Sequence, residues 1–304
     1  MEPFKVHILG CGSALPTLRH NPSSQVVEIR GKFFMVDCGE GTQTQLRRSK
    51  IKFTKINAVF ISHAHGDHCF GLIGMISTFG MLGRTAPLHV YAPAGLREIM
   101  KKQIEYFCNG FEYEVIFHDV DTSANKIIYE DRSLSVETVP LSHRMPCSGY
   151  IFREKPTLPH ILRDMADYYN VPVSQFNNIK NGADWIDNEG NIIPYTRLTK
   201  PSESARSYAY CSDTRYMPEL HEYLKGVNVL YHESTYLNED EGMARQFFHS
   251  TASQAAQVAS DAGVNTLVLG HYSARYNDES ILLSEAKEIF PNSILSDEGL
   301  TIDI

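Results

Sequence analysis

The stretch that decides the fold is Ser62-His-Ala-His-Gly-Asp-His-Cys-Phe-Gly-Leu72, which holds three imidazoles and a carboxylate within six consecutive residues. These side chains are His63, His65, Asp67 and His68. Neutral imidazole and carboxylate are the ligands that zinc takes in hydrolytic sites. In a loop, the first two histidines can face one ion while Asp67 and His68 face another. The alternative reading is a solvated histidine-rich turn.

The segments around this motif predict a layered α/β architecture. Residues 57–62 form an apolar run that ends abruptly in polar residues, which is typical of a buried strand that delivers a loop to a site. Three short β-branched and aromatic segments near the start predict an opening meander, at residues 5–9, 24–30 and 33–37. Residues 251–262 predict a helix, and residues 266–270 predict another buried strand that ends at His271. Candidate ligands at strand ends indicate layered α/β structure.

One segment differs from its surroundings in composition. Residues from about 154 to 205 contain five prolines and several asparagines and glycines, with little periodicity. We predict an insertion here within a single domain of residues 1–304. The insertion holds one predicted helix, residues 160–169, which Val171-Pro172 would stop.

Bulk properties narrow the class of protein. The chain has 304 residues, 42% of them hydrophobic, and a formal net charge of −8, which argues against a uniformly basic surface that coats nucleic acid. No charged leader precedes an apolar run, and no stretch approaches the roughly 18 apolar residues of a membrane span, so we expect no membrane association and a cytoplasmic location. The six cysteines form no CxxC pair, so neither a zinc ribbon nor a dithiol redox motif is expected.

The histidine motif resembles the signature of the metallo-β-lactamase superfamily in the form found in the short-form tRNA 3′ endonucleases of the ribonuclease Z family. Further segments resemble other family motifs in the right order, namely Asp37-Cys-Gly-Glu-Gly-Thr-Gln43, Pro140-Leu-Ser-His143, Cys211-Ser-Asp213-Thr-Arg215, His249-Ser-Thr251 and Leu269-Gly-His271-Tyr-Ser-Ala-Arg-Tyr276. The resemblance spans nearly the whole chain. It implies an α/β fold, the metallo-β-lactamase αββα sandwich, with an inserted flexible arm.

The resemblance also implies a metal site with two Zn²⁺ per chain, Mn²⁺ being the alternative metal. One ion would be held by His63, His65 and His143, the other by Asp67, His68 and His271, with Asp213 bridging the two. Two residues receive catalytic roles: Asp67 would position the attacking water as well as bind metal, and His249 would protonate the leaving oxygen or stabilise the phosphorane. His232-Glu233 resembles a further segment of the family. We expect this segment to orient metal-bound or catalytic histidines through a hydrogen bond to their second ring nitrogen.

Outside the family pattern, several of these residues have ordinary readings. His143 and His271 could be satisfied histidines, Asp213-Thr-Arg215 a turn, and His249 a residue that precedes the cap of a helix. Gly10-Cys-Gly12 lacks the third glycine of a dinucleotide fingerprint, so a tight turn explains it better.

The implied function is a zinc-dependent endoribonuclease that removes 3′ trailers from precursor tRNA and leaves 3′-hydroxyl ends, by attack of a metal-activated hydroxide on phosphorus. The resemblance suggests a homodimer whose arm grips precursor tRNA. Two alternatives stay open: a phosphodiesterase or arylsulfatase-like hydrolase of small substrates, and an RNA-binding module with an idle metal site.

Two segments depart from the family pattern, and both concern substrate handling. The loop Pro16-Thr-Leu-Arg-His-Asn21 has Leu18 where the family usually carries lysine, and the insertion lacks the Gly-Pro-rich tip of the arm. Lys180, Arg197, Lys200 and Arg206 still supply cations for phosphates, or form a solvated surface. The basic run at residues 47–55 predicts either a phosphate-binding patch or a solvated helix end.

Overall fold

A computed structural model describes residues 2–304. The chain divides into two compact units, one formed by the residues up to Arg153 together with Arg206–Ile304, and the other by Glu154–Ala205. The strands are β1 (Phe4–Gly10), β2 (Ser24–Ile29), β3 (Lys32–Cys38), β4 (Ile56–Phe60), β5 (Leu88–Pro93), β6 (Val115–Val120), β7 (Ile127–Glu130), β8 (Leu134–Leu141), β9 (Cys147–Glu154), β10 (His160–Ile161), β11 (Trp185–Ile186), β12 (Ile192–Ile193), β13 (Thr199–Lys200), β14 (Ser207–Cys211), β15 (Val229–Glu233), β16 (Thr266–Gly270), β17 (Ser293–Leu295) and β18 (Thr301–Asp303). The helices are α1 (Thr42–Arg48), α2 (Gly66–Cys69), α3 (Gly71–Met81), α4 (Ala94–Phe107), α5 (Arg163–Tyr168), α6 (Phe176–Lys180), α7 (Tyr195–Leu198), α8 (His221–Leu224), α9 (Glu241–Phe247), α10 (Ala252–Ala262) and α11 (Ser280–Ile289).

The larger unit contains two seven-stranded sheets. The first sheet has the order β18-β1-β2-β3-β4-β5-β6, and the second has the order β17-β16-β15-β14-β9-β8-β7. In each sheet, antiparallel strands lie beside a block of parallel ones: β3 to β6 in the first sheet and β14 to β17 in the second. The predicted opening meander corresponds to β1, β2 and β3.

An apolar layer drawn from both sheets forms the main core. Phe34 and Phe60 of the first sheet contact Phe152 of the second, with ring centroids 5.8 and 5.5 Å apart. A second apolar cluster joins the first sheet to α1, α3 and α4. On the second sheet, α8, α10 and α11 pack over the parallel strands. These layers confirm the predicted αββα sandwich.

The Glu154–Ala205 unit has its own small core of Ala166, Val171, Ile179, Ile193 and Leu198. It holds two short strand pairs, β10 with β13 and β11 with β12, and helices α5 to α7. The predicted helix at residues 160–169 is wrong in its first turn, since α5 spans only Arg163–Tyr168. The segment before it is held extended, because β10 pairs with β13 and the Leu162 N–H donates to the carbonyl of Leu198 at 2.9 Å.

Two further features bear on the sequence predictions. All six cysteines are free thiols in buried positions, and no helix within residues 2–304 is long and apolar enough to cross a membrane. The basic run begins at the last turn of α1, where Arg47 and Arg48 lie, and continues through Lys50, which has φ of 57°.

Candidate metal centre

The candidate ligands follow strand ends that meet at one edge of the two sheets. His63 comes three residues after β4, and Asp213 and His271 follow β14 and β16. Because β14, β15 and β16 are parallel, their carboxyl ends lie at the same edge, where loops form sites in layered α/β proteins. His143 follows β8, two residues after that strand ends. The structure thus brings together all seven residues that the sequence proposed as ligands.

The first group of converging ligand atoms comes from His63, His65, His143 and Asp213, all within 4.8 Å of one another. The Nδ1 atom of His65 lies 3.0 Å from Nε2 of His63 and 3.2 Å from Nε2 of His143. These three nitrogens therefore face a common point.

The second group comes from Asp67, His68 and His271, and its ligand atoms meet the same distance limit. The Nε2 atoms of His68 and His271 are buried and have no hydrogen-bond partner. A buried nitrogen without a partner is costly, and a metal ion would satisfy both atoms.

Asp213 lies between the two groups and presents one oxygen to each. Its Oδ2 is 3.6 Å from Nε2 of His63 and 3.7 Å from Nε2 of His143. Its Oδ1 is 3.3 Å from Nε2 of His68 and 3.2 Å from Nε2 of His271. This is the geometry required of a carboxylate that bridges two ions, so the donor set fits a dinuclear metal centre.

Hydrogen bonds behind the cluster fix which nitrogen faces inward in three of the imidazoles, those of His143, His68 and His271. The Nδ1 atom of His143 lies 2.9 Å from the carbonyl oxygen of Phe248, which can only accept, so this nitrogen carries the proton. By the same logic Nδ1 of His68 donates to Asp37 Oδ2 at 2.7 Å. Nδ1 of His271 lies 2.9 Å from the Thr235 hydroxyl, which spends its own proton on Glu233. In each case Nε2 is left with a lone pair for a metal.

Asp37 is a supporting residue of the site; it begins the motif at residues 37–43, but the sequence alone gave it no role. Its buried carboxylate accepts hydrogen bonds from the Ser62 N–H and hydroxyl, from His68 and from the Tyr210 hydroxyl, at 2.6–2.8 Å. Its backbone has φ of 55°, a region that non-glycine residues seldom adopt. Asp37 thus joins the end of β3 to Ser62 and His68 of the histidine motif and to Tyr210 of β14. The motif at residues 37–43 was the feature of the sequence that could have pointed to this role of Asp37.

The pKa of His68 is shifted in the opposite direction from the pKa values of the three histidines in the first group. Burial lowers the pKa of His63, His65 and His143, which favours the neutral imidazole that binds metal. At His68, burial also disfavours the charged form, but the negative charges of Asp213, Asp67 and Asp37 outweigh it and raise the pKa. The carboxylates therefore create a negative potential in the second group, which suits a cation.

His249 lies beside the cluster, between α9 and the N-cap of α10. Its Nδ1 donates to Glu233 Oε1 at 2.9 Å, and its ring stacks on that of His271 with centroids 5.4 Å apart. Burial lowers the pKa of His249, but the charge of Glu233 and the hydrogen bond to it prevail and raise the pKa to about 9. Protein groups alone therefore favour a protonated imidazole here. The cap predicted at Ser250-Thr251 is present as a capping box of Thr251 and Gln254.

A pocket of about 660 Å³ opens onto these residues. The pocket is lined by several polar site residues and by three aromatic residues. The polar residues are Asp67, His143, Asp213, His249 and His271, and the aromatic residues are Phe70, Tyr236 and Phe247. Arg144 and Arg275 add two cations. The pocket therefore combines a cluster of candidate metal ligands with groups suited to an anionic, partly aromatic substrate.

The loop at residues 16–21 is fixed by its own polar contacts. Arg19 donates to the carbonyl oxygens of Tyr276 and Asn277 and to Glu279, at 2.5–2.7 Å. His20 donates from Nδ1 to Glu298 at 2.9 Å. Leu18, which stands where the family usually has lysine, is fully exposed.

Comparisons with known proteins agree with this architecture. A model of the beta-lactamase superfamily domain matches residues 188–272, and a model of the anti-Pycsar protein Apyc1 matches residues 4–104. Among solved structures, the short form of human tRNase Z has a TM-score of 0.72 at 23% identity, covering 98% of each chain. The metallo-beta-lactamase fold protein YhfI from Bacillus subtilis has a TM-score of 0.69 at 17% identity, covering 99% of this chain and 100% of that one. The protein therefore has the metallo-β-lactamase fold.

Curated relatives define the family within that fold. The chain is 56% identical over 304 residues to the ribonuclease Z of Bacteroides fragilis strain YCH46, and 47% identical over 304 residues to that of Porphyromonas gingivalis strain W83, with 100% of both chains covered in each case. The chain belongs to the ribonuclease Z family. It is a phosphodiester-hydrolysing endoribonuclease, as the sequence motifs predicted.

Proposed function

We propose that this protein removes 3′ trailers from precursor tRNA as a zinc-dependent endoribonuclease, with two Zn²⁺ per chain. The observation that carries the proposal is the position of Asp213, which presents one carboxylate oxygen to each of two ligand groups in a chain related over its full length to ribonucleases Z. His63, His65 and His143 would hold one ion, and Asp67, His68 and His271 the other.

Metal ions bound there would supply Lewis acidity and an activated water. The protein's own residues account for the remaining chemistry. Asp67 has a carboxylate on the pocket wall, where it can orient the attacking water as well as bind metal. His249, protonated through Glu233, can give a proton to the leaving oxygen or stabilise charge on phosphorus. Arg144 and Arg275 can hold neighbouring phosphates.

We propose that the Glu154–Ala205 unit binds the tRNA. It carries Lys180, Arg197 and Lys200 and forms a compact body with its own core, as an RNA-gripping extension requires. All seven proposed ligands and His249 lie outside it. The proposed working form is a homodimer in the cytoplasm, which is what the resemblance of the sequence motifs implies.

The decisive experiment compares a 3′-extended tRNA precursor with a small aryl phosphodiester as substrates of the metal-loaded protein. We expect a single cut that leaves a 3′-hydroxyl on the tRNA, and two zinc ions per chain after reconstitution. His65→Ala should lose both metal and activity. His118→Ala is the matched control, because this half-buried histidine pairs with His89 outside the site.

Two outcomes would contradict the proposal. Hydrolysis of the aryl ester without any cleavage of precursor tRNA would favour the small-substrate hydrolase. Metal content at or below one ion per chain under excess zinc would remove the dinuclear centre.

A further inference from the structure

Phe70 is an exposed aromatic residue at the edge of the pocket. Its side chain lines the cavity next to Gly66 and Asp67, yet the residue is 65% exposed. Because this side chain is largely exposed, burial of its ring does little to stabilise the fold. The mechanism proposed for the site also gives Phe70 no role. Its position therefore calls for a different explanation.

The ring is held in place by the metal loop itself. A Cβ atom on Gly66 would lie 2.3–2.7 Å from three carbons of the Phe70 ring, so the ring packs directly over this glycine. The backbone of Phe70 is fixed as well, because its N–H donates to the Gly66 carbonyl at 2.8 Å. The ring therefore lies between the backbone at Gly66 and the open pocket.

The other aromatic residues of the pocket already have partners. The Arg144 guanidinium lies 4.8 Å from the ring centroid of Phe247. Tyr236 is only 8% exposed, and Arg275 lies 5.8 Å from its ring centroid. Among the phenylalanine and tyrosine residues that line the pocket, Phe70 has the largest exposed fraction.

The chemistry of the substrate identifies what would cover this surface. An endoribonuclease must present one phosphodiester to its metals, and the bases on either side of that bond lose their stacking partners when the strand is opened. Every base has a π-face, so an exposed aromatic ring can receive one regardless of sequence. The two arginines of the same pocket favour a polyanionic strand over an apolar partner.

We propose that Phe70 is a stacking platform for the nucleobase of a nucleotide that flanks the scissile phosphodiester. The proposal rests on the proposed function of the site, which it deepens by naming a contact for a single base. Phe70 would position the strand and touch no reacting atom. Stacking on an aromatic residue is typically worth about 5- to 150-fold per base.

The test uses precursor tRNAs that differ by one abasic residue, placed in turn on either side of the cleavage site. For the wild-type protein, kcat/KM should fall about 5- to 150-fold for one of the two abasic substrates relative to the intact RNA. In Phe70→Ala this ratio should approach one. Phe70→Trp and Phe70→Tyr should restore the ratio, whereas Phe70→Leu, which keeps apolar packing on Gly66, should not.

Controls separate stacking from structural damage. Phe107→Ala removes a similarly exposed phenylalanine from the end of α4 and should leave the ratio at its wild-type value. Metal content and the native mass of the assembly are measured for every variant. An unchanged ratio in Phe70→Ala and Phe70→Leu overturns the proposal. A change in native mass with the ratio retained also overturns it, because the ring would then contact a second copy of the chain.

A parallel series with short single-stranded RNA separates this proposal from the proposed function. Cleavage of the short RNA with the expected abasic ratio, but none of precursor tRNA, would contradict the tRNA substrate and leave the platform standing. Cleavage of both RNAs with no dependence on the flanking bases would overturn the platform alone. Cleavage of neither RNA would overturn both.

Discussion

Replacing Glu233 by glutamine tests how the protein orients His249. Each carboxylate oxygen of this fully buried residue accepts two hydrogen bonds. Oε1 accepts from the Thr214 N–H at 3.0 Å and from His249 at 2.9 Å, and Oε2 accepts from the N–H and hydroxyl of Thr235 at 3.1 and 2.6 Å. A glutamine amide has only one oxygen, so its NH₂ group must face donors in either orientation.

The size of the effect follows from this arrangement. At least one buried backbone N–H loses its acceptor, which costs about 1–3 kcal/mol in the free energy of unfolding. The charge that holds the proton on His249 is also removed. We expect kcat for precursor tRNA to fall about 10- to 100-fold, which is typical when a supporting partner of a site residue is changed.

The assay combines rates, metal analysis and urea unfolding for Glu233→Gln, His249→Ala and the double variant. If Glu233 acts through His249, the double variant should be about as slow as His249→Ala alone. Metal content must be measured because Thr235 links Glu233 to His271. Losses that multiply in the double variant, at equal metal content, would refute the reasoning. Glu285→Gln is the control, since this carboxylate also accepts a backbone N–H, that of Asn238, outside the site.

Three further predictions follow from the site and its surroundings. His249→Ala should lose about 10²- to 10⁴-fold in kcat while keeping its metal, whereas His65→Ala should lose activity together with metal. Rate measurements and elemental analysis of both variants would show this difference. Near-normal turnover of His249→Ala would contradict the role proposed for His249. Deleting residues between about 156 and 201 should spare hydrolysis of a small aryl phosphodiester and weaken cleavage of precursor tRNA. Cleavage of the tRNA should also depend less steeply on salt concentration, because the variant contacts fewer phosphates. Normal tRNA processing by a folded deletion variant would contradict this prediction. The hydrogen bond to Glu298 raises the pKa of His20. The contribution of protonated His20 to the free energy of unfolding should therefore be complete below about pH 6.5 and disappear as the pH rises through the raised pKa. Urea unfolding between about pH 6 and 9 should show this loss of stability in the wild type and not in His20→Gln.

The sequence was informative wherever a structure depends on local pattern. Residues 57–62 predicted a buried strand before the histidine motif, and β4 lies there. The helix at residues 251–262 and the strand at 266–270 correspond to α10 and β16. In each of these segments, the apolar spacing reflects which face is buried, and neighbouring residues carry that information.

Features that depend on distant partners could not be predicted in the same way. The chain before α5 is extended because it pairs with residues nearly forty positions later, so its helix-like composition misled the prediction. The hydrogen bonds of Asp37 to His68 and Tyr210 arise only when separate strands meet. Phe70 carried no signal either, because a phenylalanine in an apolar context is usually buried.

The sharing of the site between both sheets has a consequence for how the protein is made. When the ribosome has synthesised only the first hundred residues, the chain holds Asp67 and three of the five candidate ligand histidines, but it still lacks His143, Asp213 and His271. Tyr210, which helps to hold Asp37, is missing as well. For the metal site that we propose, all seven ligands could therefore come together only after nearly the whole polypeptide has emerged and the two sheets have docked. Because an ion that binds only the assembled form stabilises that form, the supply of the proposed metal would affect the yield of native protein as well as its turnover.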